Sequence, residues 1–286
     1  MSFKKIVVPV TGAQEDLAAL ATAFAAARPF AGHVEALFVR PDPRETIPFG
    51  GMPVSSEVVQ QIVDNAEALA KSASIAARAH LDAAAKAAGA TLIARPQPSE
   101  GLSGSFHQTH GTFAAQIALA ARLADLIVFA PATLQSGPDI HGAFIETLTK
   151  CARPVLLSAA TPPADLLRKI AVGWDGSAVA AHALSAALPL LAKAGHVEVV
   201  SVAPAGAKLA QEAADYLALH GIHAELAMVD PAGRPPAEAL LKAAAEGGAS
   251  LLVAGGYGHS RLFETLFGGA TVHIAAHATL PLFMVH

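Results

Sequence analysis

Gly255, Gly258 and Gly268 stand in the pattern G-x2-G-x9-G, directly after the apolar run Leu251-Leu252-Val253-Ala254. An apolar strand that opens into glycines ahead of a helix presents backbone N–H groups to an anion with no Cβ in the way. The chemistry such spacing serves is phosphate binding. Asp175 follows a second apolar run, residues 170–174, and is itself followed by Gly176-Ser177. Its carboxylate could meet a ligand at the strand end or cap the next helix, with Ser177 as the competing cap. Trp174 beside it could stack on a planar ligand or pack beneath the loop.

The histidines offer weaker constellations. His259 lies within the glycine stretch, where it could touch a phosphate or a sugar, or stay solvated. Arg261 could reach a polyphosphate or remain a surface arginine. His273 and His277 are four apart, a spacing that one metal face accepts, but no H-E-x-x-H arrangement surrounds them and they read as a polar helix face. His107, His110 and His141 read as solvated loop histidines. Cys151 is the single cysteine, which rules out an internal disulfide and a thiolate cage, and it reads as a small buried hydrophobe.

The elements that must position these residues alternate between strand and helix. In the first half, strands are expected at 6–10, 33–39, 91–94, 126–129 and 154–158. Between them come a helix at 17–27, a loop at 41–53, a long helix at 56–88, a loop at 101–111 and a helix at 113–123. Ser56 is the expected N-cap of the long helix, Val59, Ile62, Ala66, Leu69 and Ala73 fall at helical spacing, and Gly89 ends it. The second half repeats the order, with strands at 170–174, 196–202, 224–229, 251–254 and 282–285. His33-Val34-Glu35 recurs as His196-Val197-Glu198, each after a glycine, and Pro154 and Pro281 both precede a last strand. Duplication accounts for this economically. The domains are expected at 1–160 and 161–286, with a linker at 161–164.

Buried apolar strands alternating with helices predict an α/β fold with parallel sheets covered by helices on both faces. Ligands of such sheets sit at the carboxyl ends of strands where the strand order reverses. That places the loops after Trp174, Val202 and Ala254 around one crevice. A net charge of −4 without a cluster of basic residues speaks against nucleic acid and anionic membranes as partners. No run of 18 apolar residues suggests a membrane span, and residues 1–5 do not read as a leader, so a cytoplasmic protein is expected.

With these features in place, the chain resembles the universal stress protein family of the UspA type, in its tandem two-domain form. The resemblance rests on the two five-strand repeats, on Asp175-Gly176-Ser177 and on the segment from Ala254 to Thr271. It implies two Rossmann-like domains, each a five-stranded parallel sheet, that bind ATP, with Mg2+ where a metal accompanies the phosphates. It also implies a dimer-forming fold, here an intrachain pseudo-dimer with a homodimer as a further option, and a role in stress survival. Carried onto this sequence, Gly255, Gly258 and Gly268 take the three signature glycines. Asp175 takes the acid beside the adenosine, and Val202 the strand end lining the adenine.

Position 269 departs from the pattern, since Gly269 stands where nucleotide-binding members carry Ser or Thr. The N–H groups of Gly268, Gly269 and Ala270 can still face an anion, and Thr271 offers a hydroxyl nearby. The first half departs further, with Thr11 for the acid and Ala130 and Thr133 for two glycines. It is expected to have lost the site and to serve as scaffold. The sequence shows no Walker-type lysine and no base held by a third group, so a non-catalytic adenine-nucleotide sensor is the expected function. A very slow ATP hydrolase and a nucleotide-free interaction module stand as the alternatives.

Overall fold

The computed structural model describes residues 2–41, 55–97, 101–131, 139–202, 206–255 and 279–286. The first half contributes β1 (Lys5–Val10), α1 (Asp16–Ala27), a 3-10 turn (Arg28–Phe30), β2 (His33–Arg40), α2 (Ser56–Ala88), β3 (Thr91–Leu92) and β4 (Ser103–His110). It continues with α3 (Phe113–Ala121), β5 (Leu126–Phe129), α4 (Ile140–Lys150) and β6 (Val155–Leu157). The second half contributes β7 (Ile170–Gly173), α5 (Ala178–Leu191), β8 (Val197–Val202), α6 (Gly206–Leu219), β9 (Glu225–Val229), α7 (Pro236–Glu246), β10 (Leu251–Gly255) and β11 (Leu282–Val285).

These strands form one sheet in the order β3-β4-β2-β1-β5-β6-β11-β10-β7-β8-β9. Within each half every pairing is parallel, as the helical crossovers require. The halves meet where β6 and β11 pair antiparallel, setting Leu157 against Leu282, Leu156 against Phe283 and Val155 against Met284. All six side chains are buried, so the junction is as apolar as either interior.

Helices cover both faces. On one face α1, α5, α6 and the carboxyl half of α2 enclose a core that runs through both halves, from Phe24 and Leu81 to Phe283 and Leu190. The rings of Phe3 and Phe283 meet edge to face at 6.2 Å across the junction. On the other face α3, α4 and α7 pack over Ile127, Phe129, Leu252 and Met284.

Two expectations for the first half are corrected. Residues 103–110, read as a loop, form β4, which pairs with β2 from His33↔Ser103 to Arg40↔His110. The first half therefore has six strands, and the stretch at 91–94 supplies only the two-residue edge strand β3. Polar residues hid β4, yet its inward side chains have partners. His33, 8% exposed, sits with Nδ1 3.0 Å from Ser103 Oγ and Nε2 2.8 Å from Ser105 Oγ. Its pKa is lowered chiefly by burial, with Glu35 opposing and Lys5 adding, so the imidazole is held neutral. The cap of α2 is also shifted by one residue: Ser55, not Ser56, accepts from the Val58 N–H, and Gly89 ends the helix at φ +65°.

Candidate functional site

The sheet order reverses between β7 and β10, and the crevice expected at such a point is present at their carboxyl ends. It is a cavity of about 360 Å³. Val200 and Val202 on β8, Ala254 on β10 and Leu240 on α7 give it apolar walls, with Asp175 and Ser177 at its polar side.

The loop after β7 is built by local hydrogen bonds. The Trp174 N–H donates to the Val200 carbonyl at 2.9 Å, continuing the β7–β8 ladder by one residue. Gly176 then turns the chain with φ +77°, a conformation that suits glycine. Ser177 caps α5, its Oγ accepting from the Ala180 N–H at 3.2 Å. Asp175 Oδ1 accepts from the Ser177 N–H at 2.9 Å, and Oδ2 has no partner among the described residues. Thus Ser177 is the helix cap, and Asp175 braces the turn with one oxygen.

Trp174, Asp175, Val202, Ala254 and Gly255 all line this cavity. Trp174 also packs against the larger core, with its indole Nε1 buried and without a hydrogen-bond partner among the described residues. Gly258, His259, Gly268, Gly269, Ala270 and Thr271 lie outside the described residues, as do Arg261, His273 and His277. Gly255 has a packing role as well. A Cβ at this position would lie 2.7 Å from the Val179 carbonyl carbon and 2.8 Å from the Ala180 nitrogen, so glycine lets β10 end against the first turn of α5.

A family model described as the universal stress protein family matches residues 167–286. The second half of the chain belongs to the universal stress protein family. A universal stress protein from Archaeoglobus fulgidus shares the fold along both halves, with a TM-score of 0.61 and 16% identity over 98% of this chain and 97% of that one. A functionally unknown protein from Pseudomonas aeruginosa does so with a TM-score of 0.54 and 17% identity, over 99% of this chain and 92% of that one. A universal stress protein solved in complex with cAMP is 26% identical across 42% of this chain and 97% of its own, with a TM-score of 0.34. No curated protein sequence matches the chain.

In the universal stress protein half, several lining residues escaped the sequence reading. Val200 was reachable, because it alternates with Val202 on one face of β8. Gly173 carried the signal of a strand-end glycine, and a Cβ there would lie 2.5 Å from Leu240 Cδ2. Pro236, Ala237 and Leu240 carry no motif. They reach the site only because α7 returns the chain from edge strand β9 to β10.

The loop after β1 in the first half is held by its own chain. Asp16, 1% exposed, accepts from the Gly12 N–H at 2.7 Å and from the Thr11 N–H at 3.1 Å. His80 on α2 approaches the same carboxylate at 3.6 Å. Burial raises the Asp16 pKa, while the two backbone donors and His80 pull against that rise. Gly12 lies so close to the Ala73 backbone of α2 that a side chain at 12 would strike it. Ala130, which follows β5, is buried, and Thr133 lies outside the described residues. His107 and His110 stand on β4 as exposed side chains rather than in a loop.

Proposed function

We propose that the second half binds ATP or a related adenine nucleotide in the β7–β10 crevice and acts as a nucleotide sensor. One observation carries this reading: five residues marked by the sequence, Trp174, Asp175, Val202, Ala254 and Gly255, converge on a single cavity at the switch point. Its volume of about 360 Å³ falls in the range of small-molecule sites, roughly 300–1,000 Å³. The apolar walls suit a base. The second oxygen of Asp175 can accept from a ribose hydroxyl. By the family resemblance, Gly258, Gly268, Gly269 and Ala270 would offer backbone N–H groups to the phosphates and Thr271 a hydroxyl in place of one at 269, and Mg2+ would supply neutralising charge there.

The family match and the lining of the cavity support a sensing role in a stress response. Asp175 is the single carboxylate among its described residues, which is little for holding and activating a water. We place the protein in the cytoplasm; among the described residues no helix is long and apolar enough to cross a membrane. We further propose that domains 1–160 and 161–286 form an intrachain pseudo-dimer, a reading supported by the β6–β11 pairing. The first domain then serves as the scaffold of the second.

The test is calorimetric titration of Mg-ATP into nucleotide-free protein, beside Asp175→Ala and Gly258→Val. One site per chain, weakened by the first change and abolished by the second, supports the sensor. Absence of binding to the folded wild type would instead favour the interaction module, for which α2 offers the exposed side chains of Val58, Ile62 and Leu69.

A further inference from the structure

At the opposite end of the second half's strands from the nucleotide cavity, His196, Glu198 and Glu225 bring one ligand atom each to within 4.8 Å of one another. The grouping follows from sheet geometry. His196 and Glu198 are two residues apart along one strand direction and share a face. Glu198 and Glu225 are direct neighbours in the β8–β9 register. Like charges directly opposite each other on adjacent strands repel unless a cation sits with them. Lys169 Nζ is 3.1 Å from Glu198 Oε2, and among the described residues His196 alone faces the Glu225 carboxylate with a cationic or neutral ring nitrogen. His196 Nε2 is 3.5 Å from Glu225 Oε2.

The first half supplies an internal comparison. It repeats the same histidine and glutamate, and the same lysine contact, with Lys5 Nζ 3.2 Å from Glu35 Oε2. There, however, both imidazole nitrogens are taken by Ser103 and Ser105, and the ring is buried. No ring nitrogen is left for a ligand. In the second half the neighbouring strand offers a carboxylate in place of two hydroxyls. The side chains of His196 and Glu225 are also open to solvent, at 37% and 61% exposure. The first half thus holds a hydrogen-bonded core histidine, and the second sets a ring nitrogen beside two carboxylates with access from water.

We propose that His196 Nε2, the free oxygen of Glu198 and the Glu225 carboxylate bind a divalent cation of the zinc class, with water completing the shell. One imidazole with two carboxylates and no thiolate is a borderline ligand set suited to Zn2+. Bound there, the ion links edge strand β9 to β8, relieves the opposed carboxylates and ties down the outer edge of the nucleotide-binding half.

The test titrates Zn2+ into the purified full chain by calorimetry, beside His196→Gln and Glu225→Gln. Circular dichroism confirms that both variants fold, and Asp175→Ala serves as a control in the other site. The expected result is one site per chain with affinity reduced at least about tenfold in each variant and unchanged in the control. Zinc should also slow amide exchange across Glu225–Val229 in the wild type alone. Absence of zinc binding by the wild type overturns the proposal, as does full wild-type affinity in either variant.

Discussion

Leu156 of β6 and Phe283 of β11 face each other across the one antiparallel pairing among the described strands, and both are fully buried. Phe283 also meets the ring of Phe3, so a residue near the end of the chain packs on one near its start. Truncating Phe283 to alanine is expected to cost about 3–5 kcal/mol, as a large core aromatic does. Because its core runs through both halves, they should unfold together. In urea, the fluorescence of Trp174, the only tryptophan, and the helical dichroism of the whole chain should then give coincident transitions. Separate midpoints would show that the halves are energetically independent.

The glycine contacts predict a hierarchy. Gly255→Ala drives a Cβ into the backbone of α5, which cannot swing aside, and should destabilise by about 1–3 kcal/mol while weakening Mg-ATP binding. Gly173→Ala meets only the flexible tip of Leu240 and should cost less. Thermal melts of the two variants, with and without nucleotide, check the order.

Asp175 and Ser177 sit two residues apart and should separate stability from binding. Ser177→Ala removes the cap of α5 and should cost about 1 kcal/mol of stability. Asp175→Ala removes an exposed brace and should shift stability by under about 0.5 kcal/mol. If Asp175 bonds the ribose, the same change weakens nucleotide at least about tenfold, the size of a hydrogen bond to a charged group. Paired denaturation and calorimetry on the two variants would show whether the roles divide in this way.

His33 predicts a direction of pH dependence. Its folded pKa lies below the ordinary 6.5, so the unfolded chain takes up a proton first as the solution is acidified. The stability this histidine provides is therefore present above 6.5 and lost as pH falls through its folded value. Urea midpoints should drop on acidification through that window. In His33→Asn, less stable at neutral pH, the drop should be smaller; an unchanged slope would assign the effect to another group.

What the sequence disclosed follows from periodicity and chain order. The runs around Val8, Val128, Val172 and Val253 are buried on both faces and could be read as strands without knowing their neighbours. The cavity was legible where a residue belongs to a strand end, as with Asp175 and Val202. It was illegible where the residue comes from a returning helix, as with Ala237 and Leu240. β4 escaped for another reason. Its inward serines look like loop residues until His33 is placed against them, and that placement is a tertiary fact. Likewise, the burial of Asp16 needs α2 folded back so that His80 arrives beside its carboxylate.

The antiparallel junction has a geometric consequence for stoichiometry. Since β6 and β11 run in opposite senses and every other pairing is parallel, the carboxyl ends of the two halves point to opposite rims of the sheet. One nucleotide cannot bridge them. The cavity of the second half opens on one of these rims, so occupancy of that cavity predicts one nucleotide per chain. The opposite rim is joined to this cavity through the shared sheet and its continuous core.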